Sequence, residues 1–251
     1  MVSISENQAK DRRAENIKKR RITINVAIPV VLLPALIWAL FYFGIFSNKP
    51  SYARDIQEPV AKVITKNGMG TAFLISPTTL LTARHVVEGM SVGEEVELFF
   101  EHLQNQLQVK AKIKYIAPID KQIVEEQVDT DYFLTDLAVL ETPEINDIEP
   151  LILGESSAVE NLDEVILIGY PNGDYSITKG NINSQKYYNA DLFKLDAASN
   201  PGSSGGPCIL KDDNTVIGIL VGGSSIAKQG ENIALKIDNV KRILSNAGIS
   251  Y

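Results

Sequence analysis

The chain has only one cysteine, Cys208, and two histidines, His85 and His102, in 251 residues. A single cysteine excludes an intramolecular disulfide framework, so the core must hold without covalent staples. Cys208 stands in the apolar run Pro207-Cys208-Ile209-Leu210 and reads as a small buried hydrophobe. With so few imidazoles and thiols there is no spaced ligand cluster, and neither a metal nor another cofactor is expected. Basic charge is also scarce beyond the N-terminus. From Ser51 onward 28 acidic residues face 16 basic ones, a net charge of −12. Phosphate recognition depends on clustered Lys and Arg, so nucleic acid is excluded as a partner of this region. Internal repeats and low-complexity segments are absent.

What remains is ordinary globular material, 45% hydrophobic and 22% charged, preceded by a differently built N-terminus. Residues 1–21 are polar and rich in basic side chains, ending in Lys18-Lys19-Arg20-Arg21. Val26 to Phe46 then runs for 21 residues without a charge. A helix of about 20 residues spans the hydrocarbon core of a bilayer, so residues 22–46 are expected to anchor the chain in a membrane. A cleaved signal peptide is the competing reading, but its apolar stretch is shorter and ends at a small-x-small site rather than in Phe-Gly-Ile-Phe. The positive-inside rule places the basic leader 1–21 in the cytoplasm and everything after residue 50 outside it. So short a leader suits a bacterial single-pass protein. Residues 47–59 read as a tether and 60–251 as the main domain.

From Val60 the texture is short apolar runs between turn residues. Expected strands are Val60–Ile64, Thr71–Ile75, Leu80–Ala83, Glu95–Phe100, Leu107–Ile116, Leu137–Glu141, Glu164–Gly169, Cys208–Leu210, Val216–Val221 and Ile233–Ile237. Asn67-Gly68-Met69-Gly70 is expected to be a turn. Many short strands at turn-punctuated intervals argue an all-β barrel or sandwich. Asp238 is expected to cap a C-terminal helix through Val240, Ile243 and Leu244, with Gly248 beyond its end. The acidic stretch 120–136 reads as a solvated surface loop.

Three features carry chemistry. Asn200-Pro201-Gly202-Ser203-Ser204-Gly205-Gly206-Pro207 is too rich in Gly and Pro for regular structure, so it forms a forced loop with exposed backbone N–H groups. His85 follows the apolar strand Leu80-Leu81-Thr82-Ala83 and reaches the rim of a sheet, whereas His102 reads as a surface residue. Asp136 opens Leu137-Ala138-Val139-Leu140, where a buried carboxylate needs a partner such as a histidine N–H. Singly, these also read as a plain turn, a rim histidine and a strand-opening aspartate. Together they stand in the order His, Asp, Ser, which is that of the triad on β-barrel serine peptidases.

The sequence resembles the trypsin-like serine peptidases, and within them the HtrA/Deg type. The resemblance rests on Gly70–Ile75, Leu81–Val87, Asp136–Leu140, Ile168–Pro171 and Asp196–Pro207, and covers about residues 58–247. It implies two six-stranded β-barrels with the active site in the cleft between them. The family pattern Gly-x-Ser-Gly-Gly-Pro selects Ser204 over Ser203 as nucleophile. By the same resemblance His85 is the general base, Asp136 fixes its tautomer, and the N–H groups of Gly202 and Ser204 form the oxyanion hole. Ala198, Val221 and Gly222 would line the pocket for the residue before the scissile bond; with no Asp at its base, small or medium apolar side chains are expected there. Proteins or peptides are the implied substrates. Family members usually carry a PDZ domain after the peptidase domain, and none is expected here. The family's trimer-forming loops are not recognisable, so a homo-oligomer is left open.

Overall fold

A computed structural model describes residues 56–103, 106–119, 131–222 and 231–251. The basic leader, the apolar anchor and most of the tether lie outside these residues, as does 120–130 of the acidic stretch. Among the described residues no helix is long and apolar enough to cross a membrane.

Twelve strands close into two six-stranded barrels. The first contains β1 (Val60–Thr65), β2 (Gly68–Ser76), β3 (Thr79–Thr82), β4 (Glu95–Phe100), β5 (Leu107–Ile116) and β6 (Ala138–Glu141), in the spatial order β1-β2-β3-β6-β5-β4. Strands β4 and β5 show the period of two that puts alternate side chains inside. In β4, Val96, Leu98 and Phe100 are buried while Glu95 is exposed; in β5, Ala111 and Ile113 are buried while Lys110, Lys112 and Lys114 face solvent. The expected turn at 67–70 is shorter than its glycines suggested. Thr65 pairs with Gly68, which leaves Lys66 and Asn67 as the turn and makes Gly68–Gly70 the start of β2.

The second barrel contains β7 (Glu164–Gly169), β8 (Ser176–Ser184), β9 (Leu192–Leu195), β10 (Pro207–Leu210), β11 (Val216–Gly222) and β12 (Asn232–Lys236), in the order β10-β11-β12-β9-β8-β7. Except for β8, its strands are buried on both faces, and alternation divides them between two cores. Val165, Leu167, Phe193, Cys208 and Ala234 fill the barrel interior. Ile166, Ile168, Ile209, Ile233 and Leu235 point outward and join the first barrel's core in one continuous cluster. Burial pushes the Cys208 thiol up to about 12, as suits a packing residue.

A short helix α1 (Asp131–Leu134) precedes β6, and α2 (Ile237–Asn246) closes the chain by burying Ile237, Val240 and Leu244. Gly248 takes φ +69, and the N–H groups of Gly248 and Ile249 donate to Ser245 O and Leu244 O, the bond pattern of a Schellman cap. The other end differs from expectation. Lys236 is the N-cap residue, and Asp238 lies inside the first turn with its carboxylate turned to another element. It accepts from Ser156 N (3.2 Å) and Ser157 N (2.8 Å), while Ser156 Oγ accepts from Asp238 N. Burial alone would raise the Asp238 carboxyl, but these Ser156 and Ser157 hydrogen bonds hold it below its usual value. The folded unit also takes in part of the expected tether: Ile56 and Gln57 are buried, and Tyr175 Oη donates to Gln57 Oε1 at 2.6 Å.

Candidate active site

β3 pairs with β2 on one side and β6 on the other, so its end is rigidly placed. Beyond it the chain enters a 3-10 turn, Arg84–Val87, which carries His85 to the rim of the first barrel. Val86 packs over Gly70, where a Cβ would stand only 2.5 Å from Val86 Cγ2. Strand and turn therefore fix the main chain at His85.

Asp136 is fully buried just before β6, and both its oxygens meet the same residue. Oδ1 accepts the His85 main-chain N–H at 2.9 Å, and Oδ2 lies 2.7 Å from His85 Nδ1. The imidazole side chain is 28% exposed against 0% for the carboxylate. An anion without water is costly unless hydrogen-bonded, and two donors on one partner supply that bonding. The carboxylate requires the proton on Nδ1, which leaves Nε2 as the free acceptor.

Arg84 escaped the sequence reading. It is buried, its guanidinium lies 4.4 Å from the centre of the Tyr132 ring, and it donates to Tyr132 O (3.2 Å) and Thr135 Oγ1 (3.3 Å). It ties the segment that delivers Asp136 to the turn that delivers His85. The described end of the acidic stretch is accordingly a helical turn packed beside the site, not a solvated loop: Tyr132, Phe133 and Leu134 are half-buried. The Tyr132 hydroxyl is raised by burial and then by the Asp136 charge. A cation in the apolar context Thr82-Ala83-Arg84-His85-Val86 was the available signal.

The second barrel contributes the glycine loop. Gly202 (φ +102) and Gly205 (φ +85) have left-handed φ values, and a Cβ at either would meet backbone oxygen, 2.3 Å from Tyr170 O and 2.2 Å from Thr71 O respectively. The Pro201 carbonyl accepts the Asn172 N–H at 2.7 Å. In a planar trans peptide the C=O and the following N–H point in opposite directions. The Gly202 N–H is therefore turned away from Asn172. Asn172 occupies the left-handed region (φ 54, ψ 21) within the 3-10 turn Pro171–Gly173. Ser203 is buried, and its Oγ accepts from Asn200 N at 3.4 Å, so it is occupied within the loop.

His85, Pro201, Gly202 and Ser204 line one cleft of about 490 Å³, with Met69 and Glu88 on its wall. Among the hydrogen bonds of the described residues, none joins Ser204 Oγ to His85 Nε2. Such contacts often tighten only around substrate. Ala198 lines a separate small hollow with Ser176, Thr178 and Leu220, and its carbonyl accepts from Thr178 Oγ1 at 2.8 Å. Val221 is buried, and Gly222 faces the Phe133 ring. The structure thus gathers His85, Asp136, Gly202 and Ser204, while Ala198 lines a second hollow whose wall includes Ser203 and Gly206 of the glycine loop, and Val221 and Gly222 line neither. His102 is exposed and stacks on Tyr175 at 4.5 Å between ring centroids. No group of acidic, histidine or cysteine side chains suited to a metal occurs among the described residues.

The family model for the Trypsin-like peptidase domain matches residues 70–219. The chain is 32% identical over 181 residues to Protease Do-like 2, chloroplastic, of Arabidopsis thaliana, covering 66% of this chain and 26% of that protein. It is 28% identical over 216 residues to the putative serine protease HhoB of Synechocystis, covering 81% of this chain and 46% of that one. The HtrA-type protease AlgW, solved with a tripeptide, superposes with a TM-score of 0.61 at 25% identity, over 80% of this chain and 65% of that chain. The chain spans less than half the length of either curated relative. With the matched region running from β2 into β11 and so across His85, Asp136 and Ser204, the chain belongs to the trypsin-like peptidase family.

Proposed function

We propose that this chain is a serine endopeptidase of the HtrA/Deg type that cleaves proteins or peptides outside the cytoplasm, tethered to a membrane by residues 22–46. The observation that carries the reading is the two-point bond from buried Asp136 to His85 in the cleft that also holds Ser204. Ser204 Oγ bonds to the carbonyl carbon of the scissile peptide as its proton passes to His85 Nε2. The carbonyl oxygen becomes an oxyanion held by the N–H groups of Gly202 and Ser204. The C–N bond then breaks, His85 returns the proton to the leaving amine, and the acyl group stays on Ser204. Water attacks the ester carbonyl as His85 takes its proton, and His85 then returns that proton to Ser204 Oγ as the ester C–O bond breaks and the acid departs. Asp136 stabilises the imidazolium throughout. The Asn172 contact to Pro201 favours an assembled oxyanion hole over a latent or purely partner-binding domain.

Substrate choice follows the residues assigned to the pocket. Ala198, Val221 and Gly222 carry no charge, which favours a small or medium apolar residue before the scissile bond; a peptide-library profile dominated by Arg or Lys there would overturn this. The activity itself is tested with a serine-directed fluorophosphonate probe. Wild type is expected to label and Ser204→Ala to remain unlabelled and peptidase-dead. Equal labelling of both proteins, or none of either, would sink the proposal. A reporter fused after residue 50 is expected to score as extracytoplasmic.

A further inference from the structure

We infer that Thr71, on β2 of the first barrel, is a positioning residue for the oxyanion hole, acting through its hydroxyl; this rests on the peptidase reading of the Ser204 cleft. Thr71 is fully buried and does not line that cleft. Its Oγ1 donates to Gly202 O at 2.8 Å and accepts the Tyr170 N–H at 3.1 Å. Its own N–H donates to Ser204 O at 2.8 Å, and its carbonyl accepts from Thr82 Oγ1 at 2.7 Å. All four hydrogen-bonding functions of one side chain and its peptide groups are therefore occupied, three of them by the second barrel.

The position of these bonds matters more than their number. Turning the Gly202 N–H away from the cleft requires rotation about the bonds on either side of the Pro201–Gly202 peptide. The Asn172 N–H resists that rotation at the Pro201 carbonyl, and the Thr71 hydroxyl holds the carbonyl of Gly202 itself. The same hydroxyl also holds Tyr170 N–H, at the start of the turn that presents Asn172. One oxygen thus grips both arms of the clamp. Glycine at 202 supplies no side-chain resistance of its own, so the conformation depends on these outside contacts. Close approach supports the arrangement: a Cβ on Gly169 would stand 3.0 Å from Thr71 Oγ1, and one on Gly205 only 2.2 Å from Thr71 O.

Valine matches threonine in shape while removing the hydroxyl, so Thr71→Val strips both bonds and leaves Gly202 O and Tyr170 N–H buried without that partner. In the full chain, kcat of Thr71→Val is expected to fall about tenfold to a hundredfold with KM nearly unchanged, less than the roughly 10²–10³ that loss of an oxyanion donor costs. Affinity for a peptide boronate, which places an oxygen in the hole, is expected to fall in parallel. Thr71→Ser keeps the hydroxyl and is expected to restore both within about threefold. Independently of turnover, hydrogen exchange at the Asn172 amide is expected to accelerate in Thr71→Val and not in Thr71→Ser. Should Thr71→Val fold too poorly to assay, Thr71→Ala is read in the same way. Unchanged Asn172 protection, or kcat within threefold of an active wild type, would overturn the inference. A wild type inert to both substrate and fluorophosphonate would instead overturn the peptidase reading, and the exchange measurement would still decide the role of Thr71.

Discussion

In the first barrel, His85 and Asp136 secure each other: the carboxylate grips both the main-chain N–H and the ring of the histidine, and β3 and β6, which lead to them, are paired along their length. In the second barrel, Ser204 rides on a loop whose carbonyls are held from elsewhere. Pro201 O depends on the Asn172 turn, and Gly202 O and Ser204 O depend on Thr71 across the barrel boundary. On the proposed mechanism, the acid–base half is fixed chiefly by the two residues that would do the chemistry, with Arg84 tying their segments together, while the nucleophile half is fixed by residues that would do none. Damage to the first half should act through chemistry alone. Damage to the second should act through loop conformation, and so should be separable by reagents that probe the oxyanion site.

The largest effect that sharpens this contrast is expected from Asp136→Asn. An amide cannot accept at both positions, and its NH2 would face either the His85 N–H or Nδ1, disfavouring the tautomer that leaves Nε2 free. A loss of about four orders of magnitude in kcat is expected at neutral pH. Boronate affinity should fall less steeply, and Asn172 amide protection should match wild type. Loss of that protection would show that the two halves are not independent.

The same division decides how much was legible in the chain beforehand. All six strands of the first barrel were read as short apolar runs between turn residues, and β5 also from its alternation of wet and dry faces; β3, buried along its whole length, was legible by its apolar run alone. In the second barrel β8 and β9 were missed. β8 (Ser-Ile-Thr-Lys-Gly-Asn-Ile-Asn-Ser) has only Ile182 buried, and β9 is four residues long; they are strands because β7 and β12 pair with them to close the barrel. The triad residues were marked by side-chain identity and loop composition. Asn172 was not, since its contribution is a main-chain N–H that no side-chain pattern encodes. Thr71 was visible only as part of a family motif. Asp238 looked like a helix cap by position, but the Ser156-Ser157 turn competes for its carboxylate.

Next in size is Gly202→Ala, set against a matched control. Gly202 and Gly93 have similar left-handed φ values, +102 and +93. A Cβ at 202 would meet Tyr170 O at 2.3 Å, whereas one at Gly93 has nothing within 4 Å. Alanine at either site is strained, at a cost of about 1–3 kcal/mol in stability. Only Gly202→Ala should also displace the oxyanion peptide, lowering kcat by about 10²–10³. Gly93→Ala should melt at a lower temperature yet turn over at the wild-type rate per folded molecule. Equal kinetic losses in the two variants would mean that backbone strain, not the position of the loop, limits activity.

The smallest expected effect lies far from the cleft, in the second barrel's own fastening of α2. Asp238 has a carboxyl held below its usual value in the folded state, so its contribution is fully present above the ordinary carboxylate pKa. That contribution is lost as pH falls through the lower folded value, because protonation then weakens the bonds from Ser156 N and Ser157 N. Asp238→Asn is therefore expected to destabilise the chain at pH 7 by about 1 kcal/mol or less, discounted for partial exposure. Denaturant titrations should show the gap from wild type narrowing as pH drops below about 4. A gap that is constant across that range would assign the effect to packing instead. Peptidase activity at pH 7 should be unchanged, since this fastening touches neither the Asn172 turn nor Thr71 and so belongs to neither half of the site.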